Sequence, residues 1–215
     1  VTLALLSGVF LLILGQFVAH PILVLMGAPK DIIHLATLYL RIYFLGMPFF
    51  MLYDFGASIL RSIGDTRRPM YALIVSGVVN VILNLLFIVV FHMGVAGAGL
   101  ATVGANAVSA VQILYFLTHE ELPIRLSFKS LMIDRDAVSK ILRIGVPAGL
   151  QGMVFSLANV CIQSGINSFG SGGIAGSAVE LNYEYFAYYL VNAFAQTVVT
   201  FTGQNYGAKN EERCK

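Results

Sequence analysis

Residues 71–91 read YALIVSGVVNVILNLLFIVVF and contain no charged side chain. A helix needs about 20 mainly apolar residues to cross the hydrocarbon core of a bilayer, and this stretch has that length. The whole chain has the same character, since 58% of its 215 residues are hydrophobic and 11% are charged, whereas a soluble domain carries roughly 25% charged residues. A soluble fold could not bury this much apolar surface. The sequence therefore predicts an all-α polytopic membrane protein.

Six apolar stretches, separated by charged residues or by glycine and proline, predict six transmembrane helices. They lie at residues 1–25, 32–60, 71–91, 95–117, 146–169 and 178–206. The second is long enough to tilt or to project from the bilayer, and Pro48 near its middle predicts a kink. The chain opens inside an apolar run, without the basic start and cleavage site of a signal peptide. We therefore expect further helices before Val1.

The basic residues indicate how these helices are oriented. Eleven of the 13 Lys and Arg residues lie in segments 61–70, 118–145 and 206–215. The loops expected on the opposite side of the membrane contain only Lys30. Loops rich in Lys and Arg stay on the cytoplasmic side of a membrane. The sequence predicts a multi-pass protein of a bacterial-type inner (cytoplasmic) membrane, with these three segments in the cytoplasm.

The hydrophilic segment 118–145 divides the chain into a part with four helices, 1–117, and a part with two helices and a cytoplasmic tail, 146–215. Apolar and charged residues alternate within this connection, as in an amphipathic helix that lies on the membrane interface. A solvated linker would have the same composition, and both interpretations stay open.

Polar side chains recur at helical spacing in three of the predicted spans. The three sets are Ser76, Asn80 and Asn84; Gln151, Ser156, Asn159, Gln163 and Asn167; and Glu184, Tyr188, Asn192 and Gln196. Polar groups inside a membrane usually face the bundle interior or a water-filled path, although they can also hold helices together by hydrogen bonds. Because three spans share the pattern, we predict a common polar cavity.

The acids in or near the spans are Asp54, Glu180 and Glu184. Asp54 precedes Arg61 by seven residues, and a tethering role is the better interpretation. Glu180 follows the glycine-rich stretch 170–173, which predicts a turn, and is expected at the outer interface. Glu184 lies one turn deeper, where a carboxylate could exchange a proton or a monovalent cation. We predict that it is functional, the alternative being an interfacial side chain that reaches water.

The sequence shows no pattern typical of a dinucleotide site, a metal site or a nucleic-acid-binding surface. The glycines at 94, 97 and 99 do not form a dinucleotide fingerprint, and the histidines lack metal-ligand spacing. With 13 basic and 11 acidic residues, the chain has no concentrated basic face for nucleic acid. We therefore expect no enzyme, no catalytic or metal site and no nucleic-acid partner. Arg41 lies inside the second span, where it could pair with an acid or reach a lipid headgroup.

Four motifs resemble those of MATE (multidrug and toxic compound extrusion) transporters. Residues 60–69, LRSIGDTRRP, resemble the cytoplasmic turn between the fourth and fifth helices of that family; NVILN at 80–84, followed by GVAGAG at 94–99, resembles the fifth helix and its exit; GVPAGLQ at 145–151 resembles the start of the seventh; GQNYGA at 203–208 resembles the end of the eighth. The resemblance implies helices three to eight of a twelve-helix, two-lobe bundle, with 118–145 joining the lobes.

This resemblance implies a secondary active multidrug efflux antiporter, which exchanges Na⁺ or H⁺ for organic, often cationic, compounds by alternating access. Many members carry Asp where Asn84 stands, and another branch carries a glutamate in the seventh helix, where this chain has Phe155 and Ser156. The cation-coupling candidates are Glu184, Asn80, Asn84 and Tyr188. The substrate-cavity candidates are Gln151, Asn159, Gln163, Asn167, Asn192 and Gln196. The expected partners are membrane lipids and small organic cations or drugs, and no cofactor is expected beyond the transported ion.

Two alternatives remain. A lipid-linked oligosaccharide flippase of the same superfamily would line its cavity with basic residues to hold a pyrophosphate, and Arg41 alone is basic within the spans. The chain could also be a truncated fragment that does not transport, because six helices of a twelve-helix bundle cannot enclose the cavity.

Overall fold

The computed structural model describes residues 1–25, 30–119, 126, 134–167 and 170–214. The helices are α1 (Thr2–Leu25), α2 (Lys30–Leu45), α3 (Met47–Ser62), α4 (Arg67–Asn84) with its π-helical continuation Leu85–Val90, α5 (Gly94–Thr118), α6 (Arg135–Asn167), α7 (Gly170–Gly207) and a final 3₁₀ turn, Glu211–Cys214. No strand occurs in the described part of the chain. The predicted all-α membrane fold is confirmed.

Four of the described helical segments are long and apolar enough to cross a membrane: Thr2–Val24, Arg67–Val90, Gly94–Thr118 and Arg135–Asn159. A fifth span results if the pair Ile33–Leu45 and Met47–Ser62, bent by 45°, crosses as one. The bend lies at Gly46, and Pro48 is in the first turn of α3. Because proline has no N–H to donate to the carbonyl of Phe44, a straight helix could not continue through this point.

The predicted count of six spans is not confirmed, because α7 is not among the described helices that are long and apolar enough to cross a membrane. The glutamate, asparagine and glutamine side chains of its polar face lower its apolar character. The turn predicted at 170–173 is wrong, since α7 begins at Gly170. Glycine costs only about 1 kcal/mol in a helix interior, so a long helix can extend through it.

The fifth predicted span and the end of the preceding connection form the single helix α6. Its first turn is capped by Asp134, whose Oδ1 accepts hydrogen bonds from the N–H groups of Asp136 (2.9 Å) and Ala137 (3.4 Å). At 1.5 Å per residue the 33 residues of α6 extend about 50 Å, which exceeds a hydrocarbon core of about 30 Å. Residues 120–125 and 127–133 of the predicted connection lie outside the described residues.

The chain separates into two compact units, Val1–Met132 and Ile133–Lys215. This boundary falls inside the predicted connection 118–145, and the three-part division stays a prediction. In the first unit, α5 packs against α2, α3 and α4. Its buried glycine and alanine residues permit close approach of the neighbouring helices; they are Gly97, Gly99, Ala101, Ala105 and Ala110.

The turn between α3 and α4 owes its shape to Gly64 and Asp65. Gly64 has a φ of +89°, a left-handed conformation that glycine adopts without strain, and its N–H donates to the carbonyl of Arg61 at 2.9 Å. Asp65 accepts hydrogen bonds from the N–H groups of Arg67 and Arg68 at 3.0 and 3.1 Å and forms an ion pair with Arg68. These contacts explain the glycine and aspartate of the motif at 60–69.

Candidate functional site

The polar face of α4 divides into two sets of contacts. Ser76 is buried, and its Oγ donates to the carbonyl of Ala105 on α5 at 2.7 Å. Asn84 donates from Nδ2 to Oδ1 of Asn80 at 3.0 Å and to the carbonyl of Asn80 at 2.9 Å. Ser76 therefore holds two helices together, whereas Asn80 and Asn84 form a half-buried amide pair along one helix.

Replacing Ser76 by alanine is expected to lower the free energy of unfolding by about 0.5–1.5 kcal/mol, because a hydrogen bond between membrane helices is lost. Ser58→Ala is the matched control, since the Ser58 hydroxyl is exposed and donates to the backbone carbonyl of Asp54 in its own helix at 2.8 Å. We expect the control to change stability by less than about 0.5 kcal/mol. Thermal unfolding of both variants in detergent measures the difference, and equal effects would contradict the helix-linking role of Ser76.

In the second unit, α6 and α7 enclose a crevice made of two adjoining cavities of about 680 and 570 Å³. We call it the α6–α7 crevice. The first cavity is lined by Ser156, Asn159, Ser177, Glu180, Glu184 and Tyr185 among others, and the second by Gln151, Gly152 and Ala158 among others. Phe155 and Tyr188 line both. The structure thus brings the predicted candidates Gln151, Asn159, Glu184 and Tyr188 to one crevice.

One wall of the crevice is a polar row on α7. Ser177, Glu180, Glu184 and Tyr188 follow one another at spacings of three and four residues, which places them on one face of a helix. The two carboxylates are one turn apart and both are exposed to the crevice. Sequence reasoning missed Ser177, although its spacing of three before Glu180 could have identified it.

Ser177 has a buried Oγ that makes no hydrogen bond with the described residues. On the opposite wall, the hydroxyl of Ser156 is already engaged, because it donates to the carbonyl of Gly152 at 3.0 Å. A buried hydroxyl without a partner costs free energy, so Ser177 is an unsatisfied polar group in the wall of the first cavity.

The aromatic rings give the crevice its second chemical character. Phe155, Tyr185 and Tyr188 line the cavity that also contains Glu180 and Glu184. The ring of Tyr189 extends this group, with centroids 5.9 Å from Tyr188 and 6.4 Å from Tyr185. Carboxylates beside aromatic faces are suited to an organic cation, which both groups attract.

The remaining candidates lie elsewhere. Asn192 and Gln196 continue along α7 beyond Tyr188 and do not line either of these two cavities. The side chains of Gln163 and Asn167 lie outside the described part of the structure. Asp54 is half-buried on α3, where Arg61 of the same helix attracts its charge. Within the described residues, no group of three or more His, Cys, Asp or Glu side chains could hold a metal ion.

Comparison with known proteins adds independent findings. Residues 1–86 match the MatE family model. The probable multidrug resistance protein YoeA of Bacillus subtilis (strain 168) is 31% identical over 221 residues, which span all of this chain and 48% of YoeA. The multidrug export protein MepA of Staphylococcus aureus (strain NCTC 8325 / PS 47) is 24% identical, over 97% of this chain and 46% of MepA. The chain thus spans about half the length of the curated relatives it matches.

The solved structures that resemble this chain are also MATE transporters. A MATE crystallised in the bent conformation superposes with a TM-score of 0.87 at 26% identity, over 99% of this chain and 48% of that one. A multidrug resistance MATE family transporter of the MOP superfamily in its outward-facing conformation gives a TM-score of 0.83 at 26% identity, with coverage of 99% and 48%.

Proposed function

The chain belongs to the MATE family, and from this premise we propose that it is part of a secondary active multidrug efflux antiporter. In this proposal the full-length protein exchanges Na⁺ or H⁺ for organic, often cationic, compounds by alternating access between two lobes. The observation that carries the proposal is the α6–α7 crevice, which combines two carboxylates, an amide and aromatic rings. The chain's multidrug relatives support the same conclusion.

The crevice chemistry supports a cationic or aromatic substrate. The rings of Phe155 and Tyr188 and the carboxylate of Glu184 would attract an organic cation. Gln151 and Asn159 would add hydrogen bonds that can adapt to different ligands. A binding site that relies on rings and a few polar groups, rather than on a fixed hydrogen-bond array, accepts many ligands. This property suits multidrug transport.

Coupling in this proposal arises from competition at Glu184. A proton neutralises the carboxylate and a bound Na⁺ pairs with it, and in both cases the negative charge that would hold a cationic drug is no longer available. The site therefore binds either the coupling ion or the drug. Asn80 and Asn84 offer a second cation site in the first lobe, where amide oxygens can ligate Na⁺ but cannot take up a proton at neutral pH. No cofactor and no enzymatic step enter this mechanism.

The proposed topology follows the basic residues. Segments 61–70, 118–145 and 206–215 lie in the cytoplasm of an inner-membrane protein, and 118–145 connects the two lobes. A flippase for lipid-linked oligosaccharides is disfavoured, because Glu180 and Glu184 would repel an anionic pyrophosphate in the crevice.

The proposal is tested by drug accumulation in a bacterial host that lacks its own efflux pumps. Expression of the full-length protein that contains this chain is expected to lower the accumulation of a fluorescent organic cation such as ethidium. Collapse of the sodium or of the proton gradient should restore accumulation and so identify the coupling ion. The 215-residue chain alone is the control and is expected not to transport. Unchanged accumulation, or efflux that persists without either gradient, would contradict the proposal.

A further inference from the structure

The first cavity of the α6–α7 crevice contains two acids and no base among its described lining residues. Glu180 and Glu184 line it, and no lysine, arginine or histidine accompanies them. Neither carboxylate forms an ion pair with a basic side chain of the described chain. The negative charge of the cavity is therefore not neutralised by the described side chains, and a positively charged ligand complements it.

The two carboxylates are set one helical turn apart along α7. Glu184 follows Glu180 by four residues, which corresponds to a rise of about 6 Å and places the Cβ atoms about 5–6 Å apart. Like charges at this spacing repel each other. A ligand with one positive charge relieves only part of this repulsion, whereas a ligand with two positive charges at a similar spacing pairs with both carboxylates.

The two carboxylates have different neighbours along the helix. Tyr188 follows Glu184 by one turn, and its ring lines the cavity together with that of Phe155. Ser177 precedes Glu180 by three residues, and its buried Oγ makes no hydrogen bond with the described residues. Ring faces attract a flat cation, so a single positive charge is expected at Glu184. Glu180 lies at the polar end of the row, whose groups the described chain leaves unsatisfied.

The size of the cavity is suited to an organic ligand rather than to a single metal ion. Its volume of about 680 Å³ lies within the range of about 300–1,000 Å³ that is usual for small-molecule sites. Within the described residues, no group of three His, Cys, Asp or Glu side chains could hold a metal ion. The two charges that complement the carboxylates are therefore expected on one organic molecule.

We propose that Glu180 makes the α6–α7 crevice selective for flat organic dications over monocations of the same shape. This inference rests on the proposed function, because it assigns a substrate class to the same crevice. One charge of the ligand pairs with Glu184 beside the aromatic rings, and the second pairs with Glu180 one turn away. Glu180 is then a specificity residue, which sets the number of charges that the ligand carries and not whether a cation binds.

Isothermal titration of the purified full-length protein in detergent tests this selectivity. Methyl viologen is a flat two-ring dication whose nitrogens are a little more than one helical turn apart, and N-methyl phenylpyridinium has the same shape with one charge. The dication is expected to bind about fivefold more tightly, which is the upper range for one solvent-accessible ion pair. Glu180→Gln should abolish this preference by weakening the dication alone. Glu180→Asp keeps the charge and should keep most of the preference.

Glu212→Gln is the matched control, because it removes an exposed carboxylate of the final 3₁₀ turn, outside the cavity. An equal loss of preference in this variant would show that net charge explains the result and would overturn the proposal. Equal binding of the two cations by the parent protein, or a preference that survives in Glu180→Gln, would also overturn it and would leave the proposed function standing. Binding of neither cation by the folded parent protein would instead count against the proposed function itself.

Discussion

Replacing Glu184 by glutamine in the full-length protein is expected to reduce drug efflux by on the order of tenfold or more, with expression and membrane insertion unchanged. The amide has nearly the same shape as the carboxylate but can neither release a proton nor pair with a cationic drug. In the proposed antiport mechanism the ion and the drug compete for the Glu184 carboxylate, so loss of this charge should remove the coupling. Ethidium efflux from energised cells measures the effect.

Glu180→Gln is the matched control for this experiment. Glu180 lines the same cavity one helical turn before Glu184 and carries the same charge, so general loss of negative charge affects both variants equally. We expect the Glu180 variant to lose clearly less of the efflux than the Glu184 variant does. If Glu184→Gln transported normally while the parent protein was active, the coupling acid would lie elsewhere, and the proposed function of the chain would still stand.

The same pair of variants can also identify what Glu184 binds. If the carboxylate holds the drug, Glu184→Gln should weaken the binding of a cationic dye but not of a neutral aromatic compound, since the rings of Phe155 and Tyr188 remain. If it holds the coupling ion alone, dye binding should persist and should no longer respond to pH or sodium. Equilibrium binding to the purified protein distinguishes these outcomes.

The helical fold and part of the crevice were predictable from local patterns. The spacing of Glu184 and Tyr188 defines a face of α7, and Gln151 and Asn159 belong to the polar set predicted on α6. These two helices are consecutive in the chain, so their polar faces were good candidates to meet. Apolar length alone was sufficient to locate α1, α4 and α5 closely.

The contacts between helices were harder to predict from the sequence than the helices themselves. The spacing of Ser76 with Asn80 predicted one common polar face, but it could not reveal that the carbonyl of Ala105, 29 residues away, satisfies the serine. The contact between His20 on α1 and Thr37 on α2 likewise joins two helices across 17 residues. Periodicity identifies a helix face, whereas the neighbour of that face depends on packing that a single sequence does not reveal.

Packing between α3 and α5 leads to the second large expected effect. Replacing Gly56 by alanine is expected to destabilise the chain by about 1–3 kcal/mol. A Cβ at this position would collide with Cγ2 of Ile113 and would lie 3.2 Å from Cδ1 of Leu117. Ile113 and Leu117 are 0% and 1% exposed, so they have no free space into which to move. Overpacking of such a core costs about 1–3 kcal/mol.

Gly77→Ala is the matched control, because an added Cβ on α4 has nothing within 4 Å. We expect it to be neutral or to stabilise by up to about 1 kcal/mol, since alanine favours the helix. Thermal unfolding in detergent should therefore show a lower melting temperature for Gly56→Ala and an unchanged or higher one for Gly77→Ala. A second test uses Ile113→Ala, which removes the colliding Cγ2. Its cost should be smaller in the Gly56→Ala background than in the parent chain, because residues in direct contact are not additive. Additive costs would show that Gly56 and Ile113 do not share this contact.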